Sequence, residues 1–213
     1  MWTWVLFVLL IGAEEVTSQL EVTKSQPAEI KLPRCIDDTV VLQKIANHIE
    51  THRKNSSKYA EYAAVFRGET PAELVARLAY AETLGANCSS LNSSVGPRIV
   101  EVIANRVRRR GGDARSVVFQ RDQFSSSLNI YSNSRYKDFL CPKDLNLWKE
   151  MVLAARSSLK NPPSRVQPDT MNYFLYKHDP RWTQEPWSLK EDLAGQSEDA
   201  RTCIRFFSVP DWK

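Results

Sequence analysis

Three histidines are few for a metalloenzyme, and their spacing makes them fewer. His48 and His52 stand four apart on a predicted helix, but no HExxH motif and no third ligand accompany them, and His178 lies far away. A zinc amidase or peptidase is therefore disfavoured, and a solvated helix face is the simpler account of the pair. No CxxC occurs among Cys35, Cys88, Cys141 and Cys203, so neither a zinc knuckle nor a thioredoxin-like redox motif is present. No internal repeat and no low-complexity tract appears, which excludes a solenoid or a linker-dominated chain. The apolar run Met1–Ala13 is too short to span a bilayer comfortably, and no cysteine at its end marks a lipoprotein.

That run has the length of a signal peptide, although it lacks the usual basic start. Val16-Thr-Ser18 offers small residues for cleavage, with Gln19 as the new N-terminus; the alternative is an uncleaved membrane anchor. Removing residues 1–18 leaves roughly 190, enough for one domain with a sizeable core. The formal net charge is +4, and loss of Glu14 and Glu15 with the leader makes it +6. A basic chain suits an anionic partner: a nucleic acid, a membrane surface or a bacterial cell wall. An even number of cysteines behind an export signal predicts two disulfides in an oxidising compartment. Of the three connectivities, Cys35–Cys203 with Cys88–Cys141 is preferred here, because it would tie the chain ends together.

The stretch Thr70–Glu82 organises the rest. Thr70 can cap a helix, Pro71 fits its first position, and Glu73 completes a capping box. The helix is almost wholly apolar through Leu74, Val75, Leu78, Ala79 and Ala81, and Glu82 lies one turn beyond Leu78 on the same face. A carboxylate there is costly unless paired, protonated or exposed in a cleft. It is a general-acid candidate, a core carboxylate paired with an arginine, or a solvated last-turn residue.

Elsewhere, residues 19–34 read as an extended arm. Helices are predicted from Thr39 to Thr51 and from Lys58 to Phe66. A polar loop follows over Gly85–Ser94, and Pro97 begins a helix that ends in Arg108-Arg-Arg-Gly-Gly112. Ser116–Ser125 reads as a short apolar turn or strand running into a polar-aromatic segment, and a long polar loop follows to Pro142. Leu145–Leu159 is a helix stopped by Pro162-Pro163. Met171–Tyr176 and Cys203–Val209 read as strands.

Several stretches then stand in order: Leu78-Ala-Tyr-Ala-Glu82, Ile103-Ala-Asn-Arg-Val107, Val117-Val-Phe-Gln-Arg-Asp-Gln-Phe-Ser125, Trp148 in its Ala-containing helix, Asn172-Tyr-Phe174, Pro180-Arg-Trp182 and Phe206-Phe207. The ordered set resembles the SleB-type cell-wall hydrolases, a peptidoglycan-cleaving family, over roughly residues 70 to 209. The resemblance implies an α+β, mainly α, lysozyme-like single domain (70–213) behind an N-terminal helical extension (19–69). It implies that Glu82 is the catalytic acid, that Gln123, Phe124 and Ser125 border the glycan cleft, and that Asn172, Tyr173 and Phe174 form the aromatic strand. The chain departs from the family pattern where a Gly-Glu pair usually follows the catalytic residue. Gly85 is followed here by Ala86 and an Asn/Ser/Cys loop. The long loop from Ser126 to Pro142 is also unusual.

Glycoside cleavage needs an acid to protonate the leaving oxygen. A hydrolase also needs a second carboxylate, whereas a lytic transglycosylase uses the substrate's own hydroxyl. Glu101 and Asp122 are the candidates for that second group; a solvated helix residue and a loop or arginine-pairing residue are the plainer readings. The expectation is an exported, periplasmic or secreted muramidase or transglycosylase acting on peptidoglycan glycan strands. It would work without cofactor, metal or nucleic acid, would not remain inserted in a membrane after leader cleavage, and would favour a monomer. The competing expectations are a wall-binding protein that keeps the fold without catalysis, and a nucleic-acid binder using Arg106 and Arg108–Arg110.

Overall fold

The computed structural model describes residues 29–36, 63–120, 124, 135–161, 173–176, 190–191 and 203–208. The predicted leader, the helices expected over 39–51 and most of 58–66, His48, His52 and His178 fall outside them. The described residues are mainly helical, with a small antiparallel sheet.

Helix α1, Pro71–Ala86, is the central element. Its capping box forms in full: the Glu73 N–H donates to Thr70 Oγ1 at 3.2 Å, and the Thr70 N–H donates to Glu73 Oε2 at 2.8 Å. Asn87 ends the helix in the left-handed region at φ 54°, which asparagine tolerates better than most residues. Leu74, Val75, Ala76, Leu78, Ala79 and Ala81 are each at most 1% exposed. A helix buried on all sides needs partners on all sides. Here α2 (Asn92–Arg109), α3 (Ala114–Val118), α4 (Tyr136–Leu140) and α5 (Leu145–Lys160) pack around it.

Helix α2 starts at Asn92, so Pro97 lies inside it rather than opening it, and the expected loop is shortened to a 3-10 turn over Ser89–Leu91. Tertiary packing overrides weak Asn/Ser propensity. The extra turn buries Val95 and Gly96. A Cβ on Gly96 would collide with the end of Met151 on α5 and come within 3.2 Å of Thr83 Oγ1 on α1. Glycine at this position lets the three helices meet. The Ser116–Phe119 stretch lies in or just after a helical turn, α3, capped by Asp113, whose Oδ1 accepts from the Arg115 N–H at 2.9 Å. Part of the expected 126–142 loop is helix α4. Helix α5 matches its prediction and is capped by Asp144.

Strands β1 (Tyr173–Tyr176), β2 (Lys190–Glu191) and β3 (Ile204–Ser208) form a sheet in the order β1-β3-β2. Tyr173 pairs with Phe207 and Phe174 with Phe206. Residues on both faces of β3 are buried: Ile204 and Phe206 on one, Phe207 on the other.

The disulfides pair as Cys35–Cys141 and Cys88–Cys203, with Cα separations of 4.4 and 5.5 Å. The preferred pairing of Cys35 with Cys203 is corrected. The arm is fastened to the loop before α5, and β3 to the end of α1. Three hydrogen bonds accompany the first bond: Trp148 Nε1 donates to the Lys31 carbonyl at 2.8 Å, Arg77 Nη2 to the Arg34 carbonyl at 2.7 Å, and the Ile36 N–H to the Leu140 carbonyl at 3.1 Å. Each bridge spans more than a hundred residues. In the chain-entropy view, a loop of that size contributes about 4–5 kcal/mol.

Candidate functional site

Two charged residues lie in the apolar body of α1, and the fold treats them differently. Arg77 is fully buried, and its donors are all directed to built acceptors. Nε reaches Glu69 at 2.7 Å, Nη1 reaches the Phe139 and Leu140 carbonyls at 3.1 and 2.9 Å, and Nη2 reaches the Arg34 carbonyl. Paired and hydrogen-bonded, a buried cation is tolerable. Arg77 escaped the sequence reading, although an arginine inside an apolar helix is the same kind of signal as Glu82.

Glu82 sits five residues on, only 4% exposed, which removes the solvated last-turn reading. Beside it Thr83 is buried and donates its hydroxyl to the Ala79 carbonyl at 2.6 Å. Arg106 of α2, itself 6% exposed, feels the Glu82 charge. Burial, the largest influence, lowers its guanidinium, Glu82 raises it and Arg110 lowers it, which leaves it at about 10. The Arg106 guanidinium also lies over the Phe124 ring, 4.8 Å from its centroid. Phe124 is buried. Arg106 thus lies over Phe124 and feels the charge of Glu82, two positions about forty apart in the sequence. Arg106 was considered in the sequence only as a nucleic-acid contact; its place in Asn105-Arg106, within an otherwise apolar stretch of helix, was the available clue.

Glu101 is 1% exposed and is not a solvated residue, which corrects that expectation. It works on Arg108: desolvation lowers the Arg108 guanidinium and Glu101 raises it. Arg108 reaches across to α5, donating to the Ser158 and Asn161 carbonyls, and also to Asn105 Oδ1 on its own helix. Asn105 and Arg108, one turn apart, form a polar seam toward α5, and Glu101 lies two turns before Arg108 on the same helix. Of the four arginines offered for nucleic acid, Arg106 is buried and Arg108 is committed to this seam.

Tyr173 and Phe174 lie on β1, next to β3, as the strand reading expected. Phe206, the register partner of Phe174, has the Arg98 guanidinium of α2 4.3 Å from its ring centroid. The sheet is therefore attached to the helix that also carries Arg106. Gln123, Ser125, Asn172 and Asp122 lie outside the described residues. Among the described residues, no group of three His, Cys, Asp or Glu side chains is arranged to hold a metal, and no helix is long and apolar enough to cross a membrane.

No family model matches the chain, and no curated protein or solved structure matches it either.

Proposed function

We propose that the protein is an exported enzyme with a lysozyme-like fold that cleaves the bond between N-acetylmuramic acid and N-acetylglucosamine in peptidoglycan, with Glu82 as general acid. The observation that carries this reading is the burial of a carboxylate, Glu82, at the end of an apolar helix, with Phe124 also buried beneath Arg106, a cation that feels the Glu82 charge. The ordered motifs that resemble the SleB-type hydrolases predict a functional link between those two positions, which are far apart in the chain.

The chemistry follows from the charge balance. Glu82 donates its proton to the glycosidic oxygen as the bond to the sugar breaks. A carboxyl in an apolar, buried setting tends to keep its proton, which is what a general acid needs. Glu101 is not preferred as the second carboxylate: it is 1% exposed, and its charge acts on Arg108, which reaches toward α5. Asp122 keeps its candidacy from the sequence. Gln123, Ser125, Asn172, Tyr173 and Phe174 are proposed to bind the glycan, with amides and hydroxyls for its polar groups and rings for its sugar faces. The positive chain is drawn to the anionic wall.

A second reading is a wall-binding protein that keeps this fold without cleaving. One observation favours it: Glu82 is only 4% exposed, so little of its carboxyl is open to a substrate. Purified mature protein and its Glu82→Gln variant, each incubated with isolated sacculi, separate the two. The enzyme reading expects soluble muropeptides from the wild type and at least a thousandfold less from the variant. Equal release by both sinks Glu82 as the acid, and tight binding with no release by either supports the second reading. Mass analysis of the ends divides the enzyme reading further: anhydro ends mark a transglycosylase, and reducing ends mark a hydrolase.

A further inference from the structure

Three Asn-x-Ser sequences occur in the chain, headed by Asn55, Asn87 and Asn92, and the proposed function uses none of them. In a chain exported through the endoplasmic reticulum, such a sequence is an acceptor for an N-linked oligosaccharide. A bulky, hydrated group of this kind is tolerated only where the folded chain leaves its asparagine in water. Asn55 lies outside the described residues. The other two flank the 3-10 turn between α1 and α2, and the fold treats them differently.

Asn87 ends α1. Its neighbours Ala86 and Cys88 are 4% and 6% exposed, while Asn87 itself is exposed. Its backbone is held in place. The Asn87 N–H donates to the Leu84 carbonyl at 3.2 Å, and Cys88 is bridged to Cys203 beside β3. Asn87 is thus a fixed point of the chain that faces water between two buried residues. Asn92, by contrast, lies half-buried in the first turn of α2, with its side-chain oxygen buried. The hydroxyl of Ser94, the third residue of that sequence, donates to the Leu91 carbonyl at 2.9 Å. A sugar on Asn92 would disturb the packing at the start of α2. The backbone alone explains an asparagine at position 87, which has the left-handed φ of 54°. It does not explain the serine at position 89. An acceptor needs both residues, so substitution separates the two roles.

We propose that Asn87, in preference to Asn92, is an N-glycosylation site whose Nδ2 takes an oligosaccharide from a lipid-linked diphosphate donor during export. A bond forms between Nδ2 and the anomeric carbon of the first sugar. The bond from that carbon to the diphosphate oxygen breaks, the lipid diphosphate leaves with the electron pair, and Nδ2 loses one proton. Cys203 follows Cys88 by 115 residues, so the acceptor is presented to the transferase before the disulfide can close beside it. The proposal rests on the export part of the function above and not on peptidoglycan cleavage.

The test expresses the full chain in insect cells, once with its own residues 1–18 and once with a proven secretory leader in their place. Protein from the medium is treated in heavy-oxygen water with an amidase that releases N-glycans, before and after denaturation. Each occupied asparagine becomes a labelled aspartate, which peptide mass analysis locates. Asn87 is expected to carry the label in most molecules and to release its glycan from the native protein; Asn92 is expected to carry at least about tenfold less label, even after denaturation. Asn87→Gly keeps the left-handed helix end without an amide. This variant and Ser89→Ala should each lose one glycan-sized step in gel mobility, and Ser89→Thr should keep it. Unlabelled Asn87 in secreted protein overturns the proposal, as does equal occupancy of Asn92 or an unchanged mobility in Ser89→Ala. If only the substituted leader delivers protein to the medium and Asn87 is labelled, the export reading fails and the acceptor site stands. If the chain's own leader delivers protein and Asn87 is bare, the export reading stands and the acceptor site fails.

Discussion

Arg77 and Glu82 belong to one helix and share near-complete burial, yet their environments serve different ends. Arg77 is enclosed by fixed acceptors: an ion pair to Glu69 and three backbone carbonyls drawn from the arm and from the end of α4. Phe66 stacks near it, 5.8 Å from its guanidinium, within a cluster that also contains Phe119 and Phe139. Everything around Arg77 holds segments together. Glu82 instead lends its charge to Arg106, a cation that lies over Phe124, a residue of the segment proposed to border the glycan. A buried charge tied to backbone carbonyls from distant segments is an anchor. One tied to a second titratable group and a ring is a candidate for chemistry.

The comparison predicts opposite phenotypes, and the largest difference should lie between Glu82→Gln and Arg77→Met. Glu82→Gln is expected to lose at least a thousandfold of muropeptide release, about 4 kcal/mol of transition-state stabilisation, with its melting temperature within a few degrees of the wild type. Arg77→Met is expected to lose about 3–5 kcal/mol of stability, because it leaves Glu69 and three carbonyls without their donor. For a domain of this size that lowers the melting temperature by roughly 10 °C. Its activity per folded molecule should be unchanged. Thermal melts followed by circular dichroism, beside the sacculus assay, read both axes. The contrast breaks if Arg77→Met melts like the wild type or if Glu82→Gln unfolds.

Local signals were legible and long-range ones were not. The capping box of α1 could be read at Thr70 and Glu73, because it is a contract between residues three apart. Helix α5 and strands β1 and β3 could be read from period and composition. The start of α2 was misread because Pro97 is a legitimate first-turn residue, and only the packing of Gly96 against Met151 and Thr83 shows why the helix begins earlier. Disulfide pairing is likewise a property of the fold: the arm crosses to α5 beneath Trp148 and Arg77, which brings Cys35 to Cys141 and leaves Cys203 for Cys88. Glu101 looked solvated because the cover that leaves it 1% exposed comes only with the packed fold. Glu82 stood out in the sequence as an oddity, and Arg106 could not be joined to it before α1 and α2 were packed.

The helix crossing beside Glu82 gives a smaller effect that sharpens the same contrast. In Gly96→Ala the new methyl would fall 2.9 Å from Met151 Sδ and 3.2 Å from Thr83 Oγ1, so α1, α2 and α5 must adjust. Overpacking of this kind costs about 1–3 kcal/mol. The adjustment occurs next to Glu82 and far along α1 from Arg77. A several-fold loss of kcat is therefore expected in addition to the stability loss, with partial recovery of both on adding Met151→Ala, which makes room for the methyl. If stability falls while kcat per folded molecule is unchanged, the acid does not depend on the helix spacing.

The smallest effect separates the two arginines by pH. Burial lowers Arg106 from its ordinary, higher value to about 10. Between about 10 and that ordinary value the unfolded chain binds more protons at this residue than the folded one, so the contribution of Arg106 to unfolding free energy rises with pH there. Below pH 10 the protonated form dominates in both states and the contribution is flat. The sign is thus opposite to that of a histidine or lysine whose partner raises its pKa. Relative to Arg106→Met, the wild type should gain about 1 kcal/mol of stability between pH 9 and pH 11, measured by denaturant unfolding at each pH. A flat difference over that range means that the guanidinium is better hydrated or better paired than its burial implies. In that case Arg106 is, like Arg77, an anchor, and its link to Glu82 is only one of proximity.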